Sequence, residues 1–71
     1  MRILLNGEDR EVSEGQSVAS LLSDLGIAAD RVAVELNLTI VDRQAFTGTA
    51  LRDGDRMEVI GFIGGGEEQR R

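Results

Sequence analysis

Residues Arg2 to Asn6 are an apolar run closed by Asn6-Gly7, and a second short run, Arg10 to Ser13, follows. Asn-Gly between two extended runs predicts a hairpin, because both residues accept positive φ. The period then changes. Val18, Leu21, Leu22 and Leu25 stand at i, i+3, i+4 and i+7, one stripe of a helix that Ser17 can cap and Gly26 can end, with Ile27 packing back on the last turn. From Val32 to Asn37 the period is two, with Val32, Val34 and Leu36 on one face and Ala33, Glu35 and Asn37 on the other. A short extended piece, Thr39 to Val41, follows, and an irregular stretch holding Phe46 and Thr47-Gly48-Thr49 leads to Leu51. Asp53-Gly54-Asp55 predicts a turn into a last strand, Arg56 to Ile63. Met57, Val59 and Ile63 make one apolar face of it. The opposite face, Glu58, Ile60 and Phe62, is also mostly apolar, so Ile60 and Phe62 either pack under the neighbouring loop with Phe46 or form a partner surface.

The order strand, strand, helix, strand, short strand, strand calls for one main helix across one face of one sheet, an α+β solution. The expected arrangement is a ubiquitin-like β-grasp with a mixed sheet of four to five strands. A chain of 71 residues has room for one domain. Residues 1–63 form it, 64–66 make a flexible glycine tail, and 67–71 are a loose C-terminal extension.

With no cysteine and no histidine, the chain has no disulfide, no thiolate zinc site, no thiol to hold a persulfide and no Ser-His or Cys-His nucleophile. Catalysis of its own is not expected. Asp53, Asp55 and Glu58 lack the spacing of a calcium loop and read as turn residues, so no metal site is expected. The formal charge of −5, from 13 acidic residues against 8 arginines, argues against nucleic acid and for a protein partner, either as a solvated surface or as steering toward a basic face. The apolar run near the start is far too short to span a membrane, which points to the cytoplasm. The sequon Asn37-Leu38-Thr39 is read as part of a strand turn.

Several pieces in this order and spacing resemble the ThiS family of sulfur carriers. They are Ile3-Leu4-Leu5-Asn6-Gly7-Glu8, the helix with Leu21-Leu22, Val32-Ala33-Val34-Glu35-Leu36-Asn37, Leu51-Arg52-Asp53-Gly54-Asp55-Arg56, and Gly64-Gly65-Gly66. Asp42 stands where the family often has proline, and Phe46 where a bulkier aromatic is frequent. The resemblance implies thiamin biosynthesis, with Gly66 as the terminus that is adenylated and converted to a thiocarboxylate. Gly64 and Gly65 would enter partner active sites, since a thread without Cβ atoms fits a narrow channel. It also implies a ThiF-like adenylating enzyme that uses ATP, and a ThiG-like thiazole synthase as sulfur acceptor. The chain would then be a protein co-substrate that binds no cofactor. Because Gly66 is joined to Glu67, a cut is expected, by a peptidase of the zinc metallopeptidase kind seen with extended carriers, removing Glu67–Arg71.

Three other readings remain open at this level. A carrier of the same construction could serve methionine, cysteine or molybdopterin. A ubiquitin-like modifier would attach Gly66 to lysines of other proteins, and a β-grasp interaction module would use the glycines only as a linker.

Overall fold

The computed structural model describes residues 1–63 and 67–70. The chain runs β1 (Arg2–Leu5), β2 (Glu8–Glu11), α1 (Val18–Asp24), β3 (Val32–Leu36), β4 (Thr39–Val41), β5 (Arg56–Ile63) and β6 (Glu67–Arg70), with single 3₁₀ turns at Ala29–Arg31 and Arg43–Ala45. The sheet order is β2-β1-β5-β3-β4, with β6 added to β5. β1 and β5 are parallel and every other pair is antiparallel, so the sheet is mixed and β5 is central. This is the ubiquitin-like β-grasp. Among the described residues no helix is long and apolar enough to cross a membrane.

Two tight turns set the registers. Asn6 (φ 49°) and Gly7 (φ 83°) both take the left-handed conformation, and Leu5 pairs directly with Glu8. The second strand therefore starts at Glu8 rather than at the expected Arg10. All four of its residues are exposed at the sheet edge, so it carries no apolar alternation by which to place it. Asn37 (φ 52°) and Leu38 (φ 71°) make the second turn, pairing Leu36 with Thr39. Leucine in this conformation is strained, and the side chain is 81% exposed.

The helix is short but closed at both ends. The Val18 and Ala19 amides donate to Thr49 and Phe46 carbonyls at 2.9 and 3.1 Å, and the Ser20 amide donates to Ser17 Oγ at 3.0 Å. Helix and irregular stretch thereby fix each other. At the far end the Ile27 amide reaches the Leu22 carbonyl and the Gly26 amide the Ser23 carbonyl, with Gly26 at φ 72°, a Schellman closure. Val18, Leu21 and Leu22 bury against Ile3, Leu5, Val32, Val34, Met57 and Val59 of the sheet, with Val12, Phe46 and Leu51 closing the sides. Every buried side chain among the described residues is apolar.

β5 is held on both flanks by asparagines. On one side the Leu4 amide donates to the Asp55 carbonyl and the Asn6 amide to the Met57 carbonyl, both at 2.9 Å. The Asn6 side chain then takes the next rung: the Val59 amide donates to Oδ1 at 2.8 Å and Nδ2 donates to the Val59 carbonyl at 3.3 Å. On the other side the Arg56 amide donates to Asn37 Oδ1, and Asn37 Nδ2 donates to Asp55 Oδ1, each at 2.9 Å. Residues 67–70, expected to be loose, instead extend the sheet along β5, in the register Ile60↔Arg70 to Ile63↔Glu67. A polar tetrapeptide in strand pairing leaves no hydrophobic signature in sequence.

Asn6→Ala leaves both backbone groups of Val59 without their partner and should lower stability by about 1–3 kcal/mol, read from the urea midpoint. Leu38→Gly should act in the opposite direction, raising stability by up to about 1 kcal/mol as the left-handed strain is relieved. Loss of stability in Leu38→Gly would mean that the exposed leucine packs in solution.

Candidate functional site

β5 is clamped at its start and middle, and its last residue, Ile63, leads directly into the three glycines. Gly64, Gly65 and Gly66, the residues expected to carry the chemistry, lie outside the described residues. What the structure does define is the strand that precedes them, β5, and the sheet face that α1 leaves open.

The alternation of β5 places Met57, Val59 and Gly61 on the buried face and Arg56, Glu58 and Ile60 on the other. Ile60 is half-buried, paired with Ala33 of β3. Phe62 stands two positions further along β5, opposite Glu68. Phe46 is buried in the core cluster, to which Ile60 does not belong, so the two do not form one packed unit under the loop. The Ile60 side chain faces outward with Leu4, which is 39% exposed, and Ile40, which is 62% exposed. These are not one continuous patch. Register places Leu4 between Asp9 and Arg56, and Glu35 between Ile40 and Glu58, so apolar positions alternate with charges across the face. A groove of about 230 Å³ lined by Glu35, Leu38, Arg56 and Glu58 lies on it.

Leu4, Leu38 and Ile40 were not singled out in the sequence. Leu4 could have been, since it sits in an unbroken apolar run where a one-faced strand needs only alternate apolar positions. Leu38 could not, because the exposure of a hairpin tip depends on turn type. The acidic residues around the last turn have structural employment. Asp55 Oδ2 accepts from the Arg52 amide within the turn and Asp53 Oδ1 accepts from the Arg2 amide of β1, both at 2.8 Å. Among the described residues the arrangement offers a central strand with a partly exposed, mixed apolar and charged face beside it, of the kind that suits docking.

Comparison with known proteins bears on the family and the fold. A family model described as the ThiS family matches residues 3–66. The sulfur carrier protein ThiS of Thermus thermophilus is 38% identical over 69 residues, which is 90% of this chain and 98% of that protein. A crystal structure of the thiamine biosynthesis protein ThiS from Geobacter metallireducens superimposes with a TM-score of 0.81 at 42% identity, covering 93% of this chain and 100% of that one. The chain is also 44% identical over 69 residues, 97% of its length, to a thiazole synthase of Paramagnetospirillum magneticum, but spans only 21% of that protein.

Proposed function

The chain belongs to the ThiS family, and from that premise we propose that it is a sulfur carrier, a protein co-substrate whose Gly66 terminus is charged with sulfur and delivers it for the thiazole of thiamin. The observation that carries this reading is the position of the glycines: they follow without a spacer from the central, doubly clamped strand, and the family match ends on Gly66. Catalysis belongs to the partners, and the work is cytoplasmic.

Charging needs a free carboxylate. In this sequence the Gly66 carbonyl is in a peptide bond to Glu67, so water must first be added across that bond, by a peptidase of the zinc metallopeptidase type, releasing the segment that begins Glu67-Glu68. The Gly66 carboxylate then attacks the α-phosphate of ATP on a ThiF-like adenylating enzyme, giving an acyl-adenylate and pyrophosphate. A sulfur donor displaces AMP and leaves a thiocarboxylate, whose sulfur passes to the acceptor enzyme. Gly64 and Gly65 suit the approach, since a thread without Cβ atoms enters a narrow channel and turns freely within it. Support for a thiazole synthase of the ThiG kind as acceptor comes from the long relative that contains a region like this chain. Ile60 and Phe62 on β5, with the charges between their neighbours, are the surface offered to the adenylating enzyme, and the chain's −5 charge favours a basic partner face.

Incubation with the host adenylating enzyme, ATP and a sulfur source should add about 16 Da to a chain ending at Gly66 and nothing to the chain of residues 1–71, one oxygen being exchanged for sulfur. If neither form gains mass with an enzyme of demonstrated activity, the carrier reading fails. Ile60→Asp should weaken association with that enzyme about ten-fold or more while circular dichroism and the urea midpoint stay near wild type, since an outward position bears little of the core. Unchanged association would remove Ile60 from the docking surface.

A further inference from the structure

β1 leaves the flank of β5 at Asn6, whose side chain takes the rung at Val59. Strand alternation turns the next backbone groups on that flank, those of Gly61 and Ile63, to the same side. That is the side on which β6 lies, with Gly61 opposite Gln69 and Ile63 opposite Glu67. The edge of β5 beyond Asn6 is thus a strand-acceptor site, and the chain supplies its own occupant.

We propose that β6 is an intramolecular strap that occupies this edge and must detach before the glycine segment can be cut or can extend into a partner. The pairing stands by itself, whereas its consequence rests on the carrier reading. Directly opposed residues of an antiparallel pair lie about 5 Å apart, so pairing holds Ile63 and Glu67, the ends of β5 and β6, close to each other. Released at Glu67, three residues can reach about 10 Å beyond Ile63. The same pairing shields the bond to be cut. A peptidase takes its substrate as an extended segment, and Glu67 contributes the nitrogen of that bond while it is engaged with β5. The strap therefore keeps an uncut chain from presenting a blocked terminus to the adenylating enzyme, and cutting follows strap opening.

Amide hydrogen exchange tests this without any partner enzyme, so its outcome is independent of the carrier reading. In the chain of residues 1–71, the Gly61 and Ile63 amides should exchange about ten-fold or more slower than in a chain ending at Gly66. Gln69→Pro removes the donor opposite Gly61 and leaves the Gly66-Glu67 bond intact, so it should bring both amides to the rate of the shortened chain. The Val59 amide, held by Asn6, should exchange equally in all three. A glutamate-specific endoprotease provides the second readout, cutting after Glu67 about ten-fold faster in Gln69→Pro than in wild type, with the cuts before β6 unchanged; the bond after Glu68 is not read, because proline follows it in the variant. Equal exchange at Gly61 and Ile63 in the three chains, or equal cutting after Glu67 in wild type and Gln69→Pro, overturns the strap.

Discussion

The structure depends on how two asparagine side chains hold one strand. Asn6 and Asn37 stand at equivalent places in two tight turns, both in the left-handed conformation, and each turns its amide onto a different flank of β5. Asn6 replaces a backbone rung where β1 has turned away, whereas Asn37, whose own amide still donates to the Arg56 carbonyl, completes that rung by accepting from the Arg56 amide through Oδ1. An amide can do this because it offers one donor and one acceptor at a peptide's spacing, which no aliphatic side chain matches. The first hairpin and the last strand, 53 residues apart in sequence, are thereby held together.

Once β5 is fixed, the remaining parts follow from satisfying backbone groups and burying one apolar face. The free amides at the start of α1 are met by the carbonyls of Phe46 and Thr49, so the stretch between β4 and β5, which holds a single 3₁₀ turn, is as determined as the helix. The buried face of β5 packs on Leu21 and Leu22 through Met57 and Val59. Its other face remains exposed in part, with Ile60 outward, and in sequence the strand leads from Ile63 directly to the glycines.

Most of the fold was legible because its signals are local. Asn6-Gly7, the Val18 to Leu25 stripe closed by Gly26, the alternation from Val32 and the Asp53-Gly54-Asp55 turn each predict their element by a separate mechanism. What escaped was non-local or purely backbone. β2 has no apolar face, so its register came from the turn geometry. The asparagine clamp joins positions whose proximity no short window contains, and β6 is a polar tetrapeptide without apolar alternation. Ile60 was visible as an apolar residue on the wrong face of a strand, but its outward placement, away from Phe46, required the sheet. The glycines were legible as a motif and remain so, since their chemistry follows from what they lack.

The central claim is that Gly66 becomes the working terminus. Intact mass of the protein isolated from its native cells, without added enzymes, tests it most directly. The account predicts chains that end at Gly66, a fraction of them heavier by the exchange of one oxygen for sulfur. A population in which every chain still carries Glu67 would contradict it.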